Sequence, residues 1–427
     1  MLQDFELEQL VEPLLAWFAD HARVLPWREE PTPYRVWASE IMLQQTRVEA
    51  VKPYFERFVT ELPDVAALAA CPEDKLLKLW EGLGYYNRVR NMQKAAVTVM
   101  EEHGGVLPAD YGKLLSLKGI GSYTAGAIAS IAYGISVPAV DGNVLRIITR
   151  AAADDTDIMK QSFRNEVERR LLAVMQELTV SDAVEEALLR RMPGLEDADV
   201  QEEALLRRMH GLEATNAQEE ALSRRIKDAL PEGKRRSANL PGALNQALME
   251  LGATVCVPNG APLCEQCPWR DLCLARKEHK IDVLPVKSKA KARKIEERTV
   301  FIIRDGDKVA IRKRPAKGLL AGLYELPNAL GKLAPEEALA FVKEQGLAPL
   351  RVEKLTDAKH IFSHIEWHMT GYAILVEEAG FAEEEGVSSE EKLLFVDVED
   401  AGERYAIPSA FAAYAEYMKL RLGKDGF

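Results

Sequence analysis

Between Phe5 and about Lys280 apolar residues return every three or four positions, as at Phe5, Leu10, Leu14, Trp17 and Phe18 and again at Tyr54, Phe55 and Phe58. That spacing gathers apolar side chains on one helical face, so helices should dominate this stretch, the first of them carrying Phe5 through Phe18. From Arg298 the pattern changes to short β-rich runs, TVFIIR, KVAIRKR, HMTGYAILV and LLFVDV, broken by Asp-Gly, Gly and Pro. Runs of that kind predict a separate α+β domain. The expected division is a helical domain over 1–280, a basic linker over 281–297 and an α+β domain over 298–427. The linker contains KSKAKARK at 287–294, which reads as a plain tether or as a strip lying along phosphate.

One internal repeat interrupts the helical half. EEALLRRM at 185–192 returns at 202–209, and EEALSRRI follows at 219–226, a constant period of seventeen residues. Each copy has helix-forming composition, and Pro193-Gly194 and His210-Gly211 close the first two. Three short helices are expected. Seventeen residues is too short for the common helix-pair solenoids, so 185–218 reads as a tandem duplication carried as a surface insertion, with partner binding as the alternative.

Composition changes the picture in one respect. The net charge of -12 argues at first against a nucleic-acid partner, but 376–400 and 181–230 contribute -9 and -5, leaving about +2 for the remainder. The acidity belongs to two segments and does not exclude a polyanionic partner. No stretch approaches the length of apolar chain a membrane span needs, and the N-terminus lacks a signal-peptide core, so a cytoplasmic protein with no membrane partner is expected.

Three constellations carry chemistry. Cys256, Cys264, Cys267 and Cys273 lie within eighteen residues directly after the helical pattern GALNQALMELGATV. Four thiolates in one compact loop make a four-sulfur cage for metal. A 4Fe-4S cluster suits it better than zinc, because structural zinc sites usually bring two short-spaced pairs and only one C-x2-C is present; zinc remains the alternative. The second is LKGIGSYTAGAI at 117–128. Gly119 and Gly121 flank one apolar residue between two helical segments, a helix-hairpin-helix turn whose backbone amides suit a phosphate oxygen, although such a turn can also be purely structural. The third is a pair of carboxyls. Asp141 in VPAVDGNVLR precedes a helix and by itself reads most readily as an N-cap, the hairpin before it being what favours a functional role, whereas Glu40 lies among Trp37, Ile41 and Leu43, where burial would keep it protonated near neutral pH. Two carboxyls in unlike environments divide acid and nucleophile roles in glycoside cleavage.

At these residues the chain resembles the MutY family of adenine DNA glycosylases, within the helix-hairpin-helix glycosylase superfamily. The resemblance is carried by LPWR at 25–28, SEIMLQQTRVE at 39–49, WEGLGYYNRVRN at 80–91, GIGSYTAGAI at 119–128, AVDGNV at 139–144, the four cysteines and FSH at 362–364. It implies a mainly α fold, a helix-hairpin-helix glycosylase core with a 4Fe-4S cluster loop, followed by a C-terminal α+β Nudix-like domain. It implies that Glu40 protonates adenine while Asp141 stabilises the cation at C1′, with Tyr123 and Asn143 beside it. Arg28 would line the adenine pocket, Gln45 and Tyr85 would intercalate, and Phe362, Ser363 and His364 would contact 8-oxoguanine. Read without the family, Tyr85 could be a core aromatic and FSH an ordinary strand end.

The implied partner is double-stranded DNA bearing adenine:8-oxoguanine or adenine:guanine mispairs, bound by a monomer. The related endonuclease III family carries a lysine where this chain has Tyr123, so a monofunctional glycosylase without lyase chemistry is implied. GLLAGLYELP at 318–327 matches the Nudix-like domain, but EEALAFVKEQGL from Glu336 lacks the acid pattern of Nudix hydrolases, which leaves a binding role. The first two cysteines are separated by seven residues where the family usually has six. The competing classes are a glycosylase of other base preference and a non-enzymatic, cluster-bearing DNA scaffold.

Overall fold

The computed structural model describes residues 2–189, 239–288, 292–377 and 393–418. Most of the seventeen-residue repeat lies outside them. The chain folds as two compact units, neither of which is one continuous stretch: Met1–Val48 with Ala95–Lys289, and Glu49–Lys94 with Ala290–Phe427.

The first unit is helical. Its first helix is Val11–His21, and the expected start near Phe5 is corrected: two short 3-10 turns, Leu2–Asp4 and Glu8–Leu10, precede it. Pro13 explains the limit, since proline is tolerated in a first helical turn but would interrupt a helix begun eight residues earlier. Phe5, Leu7 and Leu10 are buried all the same, joining Leu14, Ile148 and Leu248 in one core. The centre of this unit is Leu240–Thr254, a helix with buried residues on nearly every side. Helices Val11–His21, Ser122–Tyr133 and Gly142–Ala151 all pack against it. Pro33–Leu43 in turn packs on Ser122–Tyr133. Gln161–Leu189 is the last described helix before Leu240–Thr254 and takes in the first residues of the repeat.

The second unit is built on eight strands: β1 Lys294–Asp305, β2 Lys308–Lys313, β3 Tyr324–Glu325, β4 Asn328–Leu330, β5 Pro349–Lys354, β6 Ala358–Ile361, β7 Ile365–Val376 and β8 Leu393–Asp397. The spine runs β3-β2-β1-β7-β5, with β1 and β7 parallel and the other pairs antiparallel. The run TVFIIR is apolar without alternation because both faces are covered. Val300 and Ile302 pack under the C-terminal turns with Phe411 and Tyr414, while Phe301 and Ile303 pack under helix Pro335–Glu344 with Ala338 and Val342. That helix uses Glu337 to close its own start, Oε2 accepting from the Ala334 amide at 2.7 Å. Helices Val48–Glu61, Val65–Ala70 and Glu73–Leu79 and the first half of Asn87–Glu102 belong to this unit by contact. Tyr54, Phe55 and Phe58 are buried there, Phe58 edge-on to Trp80 at 5.8 Å. Among the described residues no helix is long and apolar enough to cross a membrane.

Candidate active site

Glu40 is delivered by Pro33–Leu43, whose first turn is set by Pro33 and by Thr32 accepting from the Arg35 amide. The residue is 5% exposed. Burial raises its carboxyl; a hydrogen bond from Tyr123 opposes that, the Asp141 charge adds to it and Arg28 opposes it, leaving the pKa at about 7. Tyr123 stands in the first turn of Ser122–Tyr133 and donates its hydroxyl to Glu40 Oε2 at 2.6 Å. Burial and the nearby Glu40 and Asp141 charges hold its phenol well above its ordinary value, so it remains a donor.

Asp141 caps helix Gly142–Ala151: Oδ1 accepts from the Asn143 and Val144 amides at 2.8 Å each, and Oδ2 from Asn143 Nδ2 at 2.7 Å. The N-cap and functional readings of this residue are therefore compatible, because the bonds that close the helix start also fix the orientation of the carboxylate. Asn143 is fixed by Arg146, whose Nη1 donates to Asn143 Oδ1 at 2.9 Å. Arg146 also reaches the carbonyls of Gly252 and Cys256, at 2.8 and 3.0 Å.

Arg28 lies on the short helix Pro26–Glu29 and donates from Nη2 to Glu250 Oε2 at 2.8 Å. Arg23 holds the same carboxylate through Nε and Nη2, at 2.5 and 3.0 Å. Burial would raise Glu250, but the two guanidiniums overcome it and keep the carboxyl below its ordinary range. Glu40 and Glu250 thus face opposite fates: one buried acid has a phenol for a partner, the other two cations.

Sequence reasoning missed Glu250, Asn245 and two glycines. Asn245 is fully buried and takes the Ala139 amide while donating to Ser130 Oγ and Val137 O, which staples the loop leading into Asp141. A Cβ on Gly126 would collide with the Pro138 carbonyl, and one on Gly252 would press on Asn143. The available signal was polarity: Asn245 and Glu250 are polar residues set among the apolar ones that the helix buries.

In the hairpin, Gly119 adopts φ 81° and Gly121 is the N-cap of Ser122–Tyr133 without a side-chain cap. Nothing lies within 4 Å of where a Gly121 Cβ would sit, so this corner of the hairpin is open. Two other candidates share a rarer property. Gln45 at the end of the Glu40 helix has φ 62°, and Tyr85 in the second unit has φ 48°, left-handed conformations unusual for non-glycine residues. Tyr85 is 48% exposed, which rules out the core-aromatic reading. Strain of this kind persists where the surroundings over-determine it. Here Trp80 Nε1 donates to the Gly84 carbonyl at 3.1 Å, and Arg88 donates to the Leu83 and Gly84 carbonyls and lies over the Tyr85 ring.

Cys256, Cys264, Cys267 and Cys273 line one pocket together with Arg150 and Arg276. Burial pushes the Cys267 thiol up to about 12 and raises Cys264 and Cys273 as well. Thiolates in that setting need cations. Arg150 Nη1 supplies one hydrogen bond to Cys256 Sγ at 3.3 Å. The extra residue between the first two cysteines falls in an exposed turn with Gly260 at φ 78°, closed by the Leu263 amide donating to Val255 O at 2.9 Å. Four convergent sulfurs with arginine counter-charges fit a multi-thiolate group. Among the described residues, however, no three His, Cys, Asp or Glu side chains are arranged to hold a single metal ion.

Phe362, Ser363 and His364 form the tip between β6 and β7, a hairpin and not a free strand end. Phe362 packs edge-on to His360 and Trp367, at 4.6 and 4.8 Å between ring centres, while Ser363 and His364 are exposed. The loop backbone is tied by Phe362 N to Ile365 O, and by Arg293 Nε to Phe362 O at 3.1 Å.

Comparison with known proteins adds to this geometry. Residues 38–172 match the HhH-GPD superfamily of base excision DNA repair proteins, and 299–417 match the NUDIX domain. The chain is 30% identical to the adenine DNA glycosylase of Mus musculus over 426 residues, covering 86% of this chain and 70% of that protein. It is 28% identical to the adenine DNA glycosylase of Buchnera aphidicola subsp. Acyrthosiphon pisum (strain APS), with 83% of each chain covered. A solved structure of a trapped endonuclease III-DNA covalent intermediate aligns with 64% of this chain and 96% of that one, at 20% identity and a TM-score of 0.41.

Proposed function

The chain belongs to the adenine DNA glycosylase family, enzymes that hydrolyse N-glycosyl bonds in base excision repair, and on that premise we propose that it removes adenine paired with 8-oxoguanine or guanine and leaves an abasic site. The observation that carries the reading is the pair of carboxyls in unlike settings, Glu40 buried with a pKa of about 7 and Asp141 held at a helix N-terminus, with the Tyr123 hydroxyl bonded to the first. Adenine is out of reach inside a duplex, so it is flipped outward at roughly a few kcal/mol, least at a mispair. Glu40 donates a proton to the base and makes it a leaving group. Asp141 stabilises the cation that develops at C1′ as the bond to the base breaks, water adds to that cation and gives up a proton to leave the abasic sugar, and Asn143 keeps the carboxylate aimed through its own bond to Arg146. Arg28 and Glu250, locked to each other, form a wall of the adenine pocket.

Tyr123 supports the monofunctional reading. A lyase needs an amine to form a Schiff base, and position 123 carries a phenol engaged by Glu40. Gly119 and Gly121 offer backbone amides to a phosphate, Gln45 and Tyr85 fill the opened stack, and Ser363 hydrogen-bonds 8-oxoguanine from the tip formed by Phe362, Ser363 and His364. The four cysteines would hold a 4Fe-4S cluster, which when bound supplies four bonds that knot the loop between Cys256 and Cys273. Glu337 spends its carboxylate on its own helix start, which favours lesion reading over pyrophosphate hydrolysis in residues 298–427.

The test is single-turnover excision on duplexes carrying adenine opposite 8-oxoguanine, guanine or cytosine. The expected result is fastest release opposite 8-oxoguanine, with strand breaks appearing only after hot alkali. No adenine release, or strand cleavage without alkali, overturns the reading.

A further inference from the structure

The wedge candidate Tyr85 and the loop Phe362–His364 belong to the same compact unit, although 277 residues of sequence separate Tyr85 from Phe362. What joins them is visible at the root of the Tyr85 loop. Lys78 ends helix Glu73–Leu79 and points its ammonium at the C-terminal end of helix Val398–Arg404, donating to Gly402 O at 2.5 Å and Tyr405 O at 3.3 Å. Its other partner is Glu81, whose side chain is 10% exposed. Glu81 Oε1 accepts the Ile407 backbone amide at 2.8 Å. The buried carboxylate therefore bridges the wedge loop and the C-terminal segment that covers one face of the sheet.

From Glu81 the backbone has little freedom before Tyr85. Trp80, fully buried, bonds across the loop to the Gly84 carbonyl, and the chain turns through Gly82 at φ 98° and Gly84 at φ 69°. A displacement of residue 81 would be passed to Tyr85, because each intervening residue is either pinned or in a conformation with few neighbours.

We propose that Glu81 is a positioning residue for the Tyr85 wedge, fixing the root of that loop to Ile407 and Lys78 so that wedge insertion and lesion reading act as one body. The proposal rests on the reading that Tyr85 enters the stack. Burial, ahead of its bonds to Lys78 and Ile407, raises the Glu81 carboxyl, so the residue is costly to keep there without its partners. A second anchor of the same segment, Arg90 Nη2 donating to Ala321 O at 2.6 Å, would persist without Glu81. Loss of Glu81 should therefore loosen the loop root and leave the unit assembled.

The experiment uses the full-length chain with its native cofactor and a duplex whose adenine nucleoside carries fluorine at C2′, so that it binds without hydrolysis. Glu81→Ala should weaken binding opposite 8-oxoguanine roughly tenfold, while the single-turnover rate on ordinary substrate at saturating enzyme changes by less than about twofold. Glu81→Gln keeps an oxygen for the Ile407 amide and should restore most of the affinity. In a Tyr85→Ala background, Glu81→Ala should add nothing further. Unchanged affinity, or the same loss with and without Tyr85, overturns the proposal. If Glu81→Ala does not fold, Lys78→Met carries the same cycle with the same criteria. Tyr85→Ala binding like the unmodified chain would instead defeat the wedge reading itself, which separates the two failures.

Discussion

The pocket around Glu40 and the surface around Tyr85 and Ser363 solve opposite problems. In the first unit Glu40, Tyr123, Asp141, Asn143 and Arg28 are bonded to partners in the protein before any DNA arrives, and Glu40 is almost wholly buried. In the second unit Tyr85, Ser363 and His364 are turned outward, and order is imposed on their backbones by groups behind them, such as Arg88, Trp80 and Arg293. Chemistry requires low dielectric and preset geometry, since an electrostatic contribution weakens when water competes. Reading requires free hydrogen-bonding capacity and an exposed ring, so preorganisation has to come through the main chain.

The comparison breaks most severely at the carboxyls. Glu40→Gln and Asp141→Asn should each reduce single-turnover excision by about a thousandfold or more while leaving mispair binding nearly intact. Asp141→Asn is the cleaner variant because asparagine still caps Gly142–Ala151, so helix content by circular dichroism should not change. Comparable loss in Ser363→Ala would erase the proposed distinction between the two regions.

The next effect is on pH. In the proposed role Glu40 acts while protonated, so the excision rate should fall as pH rises through about 7, by roughly tenfold per pH unit beyond it. Stability follows with the same sign. A carboxyl raised from 4.5 to about 7 on folding stabilises fully below 4.5, and that contribution is lost as pH climbs through 7. Glu40→Gln should therefore be more stable than the unmodified chain at pH 8, by up to about 3 kcal/mol, and nearly equal to it at pH 4. Thermal melts at both pH values check this; equal differences at the two would show that Glu40 is not buried as a neutral acid.

A smaller effect sharpens the comparison from behind the pocket. Gly126→Ala forces the hairpin helix away from Pro138, so it should cost on the order of 2 kcal/mol in denaturant melts and slow excision by displacing Asp141. Gly121→Ala, with open space around it, should alter stability far less and change DNA affinity only modestly. The smallest expected change is in discrimination: Ser363→Ala should lower the preference for 8-oxoguanine over guanine by roughly tenfold or less, with little change in the maximal rate, as loss of one hydrogen bond would.

Much of this was legible in the order of residues. Apolar spacing marked the helical and β-rich halves, and GIGSY, AVDGN, SEIMLQQ and the four cysteines marked candidate sites, because turns, caps and short-spaced ligands are local and their residues are adjacent in the chain. The first helix was placed too early because a 3-10 turn shares nearly the same apolar spacing, and only Pro13 distinguished them.

What the sequence could not determine depends on groups brought together from far apart. Glu250 receives Arg23 and Arg28 across more than two hundred residues, Glu81 receives the Ile407 amide across 326, and the helices over 49–94 pack with the sheet unit instead of with their sequence neighbours. The fates of the two buried acids were likewise decided by tertiary structure. Glu40 and Glu250 both stand in apolar helical runs, yet one is left holding a proton near neutrality and the other is ionised, because burial penalises the charge of both and only Glu250 is hydrogen-bonded to two guanidiniums, whereas for Glu40 the Arg28 charge is the smallest of the four influences.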